Sequence, residues 1–271
     1  MTAITTGAKK HPLLAFFVLA YALSWLVEIP LALRAHGVIQ VEIPFSLHYL
    51  AAYGPMLSAL IVTGVTGGPR GLRELLGRMT KWKVGPGWWL VAVAPLGLYS
   101  LVAVALWLIQ EVPIDVVAIG QVDFLPALGL AVLPMWILTF GIGEETGWRG
   151  FALPGLQEGR SALRATIILW IFWALWHLPL FFYSYEVSVL LGFLTGLLAG
   201  AIVFTWLYNS TGGSVLMVAL WHGTFNFTTA CVTCKSSVSA AVTSTLVMVW
   251  AVVVVLRFKP ASLSREAEQV I

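Results

Sequence analysis

Apolar runs recur along the chain, broken by short polar segments, at 12–33, 48–66, 88–110, 124–153, 161–183, 187–208, 214–233 and 238–256. A helix that crosses a bilayer needs about 20 mostly apolar residues. The pattern therefore predicts an all-α fold, a polytopic membrane helical bundle of about eight transmembrane helices. The first run follows Lys9 and Lys10. It exceeds the roughly 7–15 apolar residues of a secretory signal, and no small-residue cleavage site follows it, so it reads as a retained span. No internal repeat and no low-complexity linker divides the chain, which predicts one integral membrane domain over 1–271. The segment 69–83, "PRGLRELLGRMTKWK", is too short and too charged to cross. Leu72, Leu75, Leu76 and Met79 recur at helical spacing between basic residues. Both an amphipathic helix on anionic lipid and a plain solvated connector fit that pattern.

Composition agrees with the hydropathy pattern. Of 271 residues, 59% are hydrophobic and 10% charged, with a mean hydropathy of +0.92. A soluble domain carries about 25% charged residues. Membrane lipid is thus the first expected partner. The net charge of +3 does not imply nucleic acid, because the basic residues sit in short loops between apolar runs. The 13 tryptophans suit aromatic belts at two interfaces.

Lysine and arginine set the sidedness. With eight spans and residue 1 inside, only Arg34 and Lys235 fall on the outer side, and the loop 111–123 carries acids but no base. The bias predicts cytoplasmic N- and C-termini in the plasma membrane. Cys231 and Cys234 form a lone "CVTC". Without a second pair it lacks the ligands of a structural zinc site; a redox pair, a surface disulfide and chance placement all fit.

Ionisable and polar groups inside a span cost a few kcal/mol on insertion scales and usually face a cavity or a partner. Here they are few: Glu28 in the first run, Glu144, Glu145 and Arg149 in "GIGEETGWRG", His177 in "WALWHLPLFF", and His222 and Asn226 in "LWHGTFNF". Glu28, beside Pro30, fits snorkelling or capping of a broken helix. Glu145 and Arg149, Trp173 and His177, and His222 and Asn226 are each four residues apart, which puts each pair on one helix face. Three helices can then aim polar stripes at a common interior. Glu145 is placed to neutralise Arg149. Glu144, turned about 100° from it, is the spare carboxylate. A carboxylate and an imidazole converging on one water can make it a nucleophile. A second imidazole and a carboxamide can stabilise an oxyanion, a role that His222 and Asn226 fit. Gly141, Gly143, Gly147 and Gly150 around the acids permit close helix approach or a local break that admits water.

The ordered set "EETGWR" (144–149), "WALWH" (173–177) and "HGTFN" (222–226) resembles the CAAX protease and bacteriocin-processing family, also called the abortive-infection family, which includes the type II CAAX prenyl endopeptidases. The resemblance covers roughly 124–233, which it implies is the catalytic core, plus the general eight-span layout. It implies an intramembrane endopeptidase in which Glu144 and His177 activate water, His222 and Asn226 stabilise the oxyanion, and Glu145, Arg149 and Trp173 support them. One departure is visible: the usual Phe four residues before the second-motif His is Trp173 here, with Phe172 beside it. Zinc is possible as a cofactor, since Glu144, His177 and His222 could supply three ligands. The metal-free mechanism is favoured, and no H-E-x-x-H occurs. A peptide or a prenylated protein is the implied substrate, with the site facing the cytoplasm. For that, His177, about 24 Å along its helix, must be reached by Glu144 from a fourth helix that continues past Arg149 toward Pro154. A membrane transporter, or an immunity or scaffold protein that retains the residues without activity, is the competing reading, because buried acids beside histidines also suit a proton relay.

Overall fold

The computed structural model describes residues 2–111, 113–234 and 237–270; Lys235, expected on the outer side, lies outside them. Among the described residues all regular structure is helical. In chain order the first helices are α1 (Thr2–Lys10), α2 (Pro12–Ala35), α3 (His48–Ala51), α4 (Gly54–Met79), α5 (Pro86–Ala92) and α6 (Ala94–Gln110). The motif-bearing segment follows as α7 (Leu133–Trp136), a π-helical stretch Ile137–Glu144, α8 (Glu145–Gly147), a second π stretch Trp148–Ala152, and α9 (Leu153–Gln157). The chain then continues through α10 (Ala162–Trp176), α11 (Leu190–Ser210), α12 (Val215–Thr229) and α13 (Val238–Phe258). Ser161, Ser214 and Ser237 cap α10, α12 and α13, each accepting a backbone N–H of the first turn.

Among the described residues, five helical segments are long and apolar enough to cross a membrane, or six if α5 and α6, bent by 54°, form one span. Leu14, Leu26, Leu101, Ile109, Leu191 and Leu256 point outward, which only lipid makes favourable on this scale. The chain is a multi-pass membrane protein. The expected spans 124–153 and 214–233 do not meet the length criterion. The first is a succession of short helical pieces, with Pro134 and Pro154 at helix starts and two π stretches between them. The second is the 15-residue α12. The helical run does continue past Arg149 to Gln157, as a meeting of Glu144 with His177 requires. The segment 69–79 is helical, set off from the preceding span by a break at Gly68, whose φ of 59° and ψ of −154° suit glycine.

Close approach explains one of the motif glycines directly. A Cβ on Gly147 would stand 2.5 Å from the backbone oxygen of Pro55 and 2.5 Å from its Cβ, so α8 and α4 touch backbone to backbone. Gly147→Ala is expected to destabilise the folded protein by about 1–3 kcal/mol through overpacking. A lowered melting temperature in detergent, with Gly77→Ala as an exposed helical comparison, checks it.

The bundle has two chemically distinct ends. At one, Lys81 donates to the Gly212 carbonyl, Arg78 to the Gly150 carbonyl, and Ser214 to the Lys81 carbonyl. Residues 259–270 fold back onto the same end: Ala162 N–H donates to Ala261 O, and Gln157 and Asn209 bind the backbone of Gln269 and Ser262. At the other end, His48 meets Tyr183 at 2.8 Å, Val232 N–H donates to Gln121 O, and Arg34 pairs with Glu42. The helices carry the polar groups between these ends.

Candidate active site

Three local features aim the motif side chains. The π geometry of Ile137–Glu144 precedes a change to α geometry at Glu145, and the two adjacent acids turn to different neighbours. Glu144, 3% exposed, accepts from the Trp173 indole N–H at 3.0 Å. Glu145, fully buried, faces Arg149 and α12 instead. At the end of α10, His177 is the C-cap, two residues before Pro179, which cannot continue the helix. His222 and Asn226 lie one turn apart on α12, as their spacing predicts.

The hydrogen bonds fix most of the protons. His177 Nδ1 lies 2.7 Å from the Trp173 carbonyl. A carbonyl only accepts, so Nδ1 carries the hydrogen and Nε2 keeps its lone pair. His222 Nδ1 lies 2.8 Å from Glu145 Oε1 and donates to that carboxylate. The Asn226 amide meets His222 Nε2 at 3.2 Å. Glu145 therefore does two jobs where the sequence suggested one: it neutralises Arg149, whose Nη1 sits 3.0 Å from Oε1 and 2.9 Å from Oε2, and it orients His222. Seventy-seven residues separate Glu145 from His222, so no periodicity pointed to that bond.

Arg149 is completely buried, and its guanidinium lies 4.3 Å from the Trp173 ring and 4.7 Å from the Phe204 ring. Cation–π contact of this kind suits a desolvated guanidinium. The Trp173 ring also stands 5.6 Å from the His177 ring and 5.7 Å from the His222 ring. A single tryptophan thus touches every motif. Trp173→Phe keeps a ring over Arg149 and deletes the only indole hydrogen on Glu144 among the described residues. A loss of about 0.5–1.5 kcal/mol from that hydrogen bond corresponds to roughly a twofold to thirteenfold fall in kcat. An unchanged KM would locate the effect in Glu144 rather than in pocket shape.

Glu144, His177, His222 and Asn226 line one cavity of about 690 Å³. Trp173, Trp176, Phe193, Phe204 and Trp221 supply much of its aromatic wall. Sequence reasoning offered Glu28 snorkelling or the capping of a broken helix, and did not single out His48 or Tyr183. Glu28 is 1% exposed and lines the same cavity. It accepts from the Tyr183 hydroxyl at 3.3 Å, and His48 meets that hydroxyl at 2.8 Å. Their only sequence signal was a carboxylate within an apolar span. Cys231 and Cys234 are joined as a disulfide and buried beside Val122, Trp136 and Phe227.

Zinc has a poor seat here. Both ring nitrogens of His222 are already engaged, and among the described residues no three His, Cys, Asp or Glu side chains stand close enough to hold one ion. No step below is routed through a metal.

Comparison with known proteins places this constellation. Residues 126–228 match the type II CAAX prenyl endopeptidase Rce1-like family, a range that contains every motif residue named above except Glu28 and His48. Over the segment 126–228 the chain is similar to the CAAX protease family. A curated CAAX prenyl protease 2 from Methanococcus maripaludis is 37% identical over 113 residues, which is 38% of this chain and 40% of that protein. The CAAX protease segment therefore accounts for well under half of either chain. It nonetheless contains all three parts of the ordered motif set.

Proposed function

We propose that the protein is an intramembrane endopeptidase of the CAAX prenyl protease type, hydrolysing a peptide bond with water activated by Glu144 and His177. One observation carries this reading: the spare carboxylate, both imidazoles and the carboxamide line a single cavity walled by apolar side chains. A water held between Glu144 and the lone pair of His177 Nε2 loses a proton to one of them as its oxygen attacks the scissile carbonyl carbon. The carbonyl π pair moves onto oxygen. The resulting oxyanion takes a hydrogen bond from the Asn226 amide, and from His222 when its Nε2 carries a hydrogen. Collapse of the tetrahedral species breaks the C–N bond, and the acquired proton passes to the departing amine. Glu145, Arg149 and Trp173 hold the reacting groups without touching the reacting atoms.

The substrate is a polypeptide held at or in the bilayer. Plasma-membrane residence follows the multi-pass helices and the charge bias of the loops. The test is cleavage of an internally quenched, lipid-anchored peptide by purified protein in vesicles. Wild type cleaves it and His177→Ala does not. Added 1,10-phenanthroline leaves the wild-type rate unchanged, whereas its abolition would show a metal requirement and remove the metal-free scheme.

A further inference from the structure

We infer that the cavity opens on the membrane face away from the cytoplasm, so that the site takes polypeptide displayed on the outer side. The sidedness stands on geometry and charge; the word substrate rests on the proposed peptidase function.

The sequence expectation combined cytoplasmic termini with a cytoplasm-facing site. Those two expectations do not fit one structure. The loop residues of the cavity wall include Ser184, Tyr185, Glu186, Ser188 and Ala230, joined by His48 of α3. All of them belong to the end where His48 meets Tyr183 and Val232 meets Gln121. The wall contains no residue from 67–85, from 153–161, from 209–214 or from 257–270, the segments that make up the opposite end. α10 shows the separation directly. Its first residue, Ala162, is bonded to Ala261, and His177 at its far end lines the cavity, about 22 Å of helical rise away.

Charge assigns the ends to sides. The end remote from the cavity carries Arg70, Arg73, Lys81, Lys83, Arg160 and Lys259 among other bases. The cavity end carries Glu42, Glu111, Asp115, Asp123 and Glu186, with Arg34 as its basic residue among those described. Cytoplasmic loops hold the excess of lysine and arginine. The basic end is therefore cytoplasmic, and the cavity opens away from it. A second observation is independent of charge. The Cys231–Cys234 disulfide sits at the cavity end, next to Ala230 of the wall. Disulfides persist outside the reducing cytoplasm. A cytoplasmic chain tail would have to cross the bilayer to reach Glu144, whereas an exported polypeptide, or one anchored in the outer leaflet, meets the opening directly.

Cysteine accessibility tests this without any need for activity. In a Cys231→Ser/Cys234→Ser background, Ser188→Cys at the cavity mouth and Glu158→Cys at the basic end are exposed to a membrane-impermeant maleimide, in intact spheroplasts and after permeabilisation. The expected result is labelling of Ser188→Cys in intact spheroplasts and of Glu158→Cys only after permeabilisation. Labelling of Glu158→Cys in intact spheroplasts, with Ser188→Cys silent, overturns the inference. Glu42→Cys and Arg265→Cys form a second pair, on opposite ends and both at exposed positions, should either first variant fail to accumulate. Failure of peptide cleavage alone would remove the peptidase reading and leave the labelling result intact.

Discussion

Glu144→Gln is expected to slow peptide hydrolysis by about 10²–10⁴-fold while leaving the fold and substrate binding in place. The magnitude is that of a general base removed from the transition state. The substitution is nearly isosteric. Its carboxamide oxygen still accepts the Trp173 indole hydrogen, so the packing of Trp173 against Arg149 and His177 persists. Burial of Glu144 without a salt bridge of its own makes the neutral replacement cheap in stability. The measurement pairs steady-state cleavage of a lipid-anchored peptide with thermal unfolding in the same detergent. Loss of kcat at unchanged KM and melting temperature is the expected result. Full retention of cleavage would remove Glu144 from the chemistry, and with it the proposed mechanism. A transporter or scaffold would instead keep its cellular phenotype in this variant.

Helical spacing made part of this site readable in advance. The i, i+4 pairs Glu145–Arg149 and His222–Asn226 are hydrogen-bonded on the helix faces that their spacing dictates, and His177 bonds the carbonyl of Trp173 four residues back. The different fates of Glu144 and Glu145 also follow from a turn of about 100° per residue. What periodicity could not supply was contact between distant segments. Glu145 with His222, Trp173 with Glu144, and Glu28 with Tyr183 each join different segments through packing that no local pattern encodes. The fold shows the same division. Five of the expected spans are long apolar helices, because hydropathy and length suffice for lipid-facing segments. The 124–153 run packs inside the bundle, where neighbouring helices shield π turns and a succession of short pieces that hydropathy alone does not reveal. The position of the cavity along the helices was not legible in the sequence and came from the structure.

Arg149→Leu is expected to be the most damaging single substitution for stability, by about 3–5 kcal/mol, because it leaves the Glu145 carboxylate buried without its cation. Changing both partners separates the pair's worth from the cost of orphaning one. Arg149→Leu/Glu145→Leu removes the uncompensated charge and fills the space with apolar groups, so much of the lost stability should return. Activity should not return with it. Without the Glu145 carboxylate, His222 Nδ1 has no acceptor at 2.8 Å, and the imidazole that faces Asn226 loses its orientation. The double variant thus divides the two roles of one acid: unfolding in detergent reports the ion pair, and peptide cleavage reports the hold on His222. Recovery of cleavage together with stability would mean that Glu145 serves Arg149 alone and that His222 is positioned by α12 packing. Stability without cleavage would make the buried Glu145 carboxylate the link between the structural cation and the oxyanion side of the site.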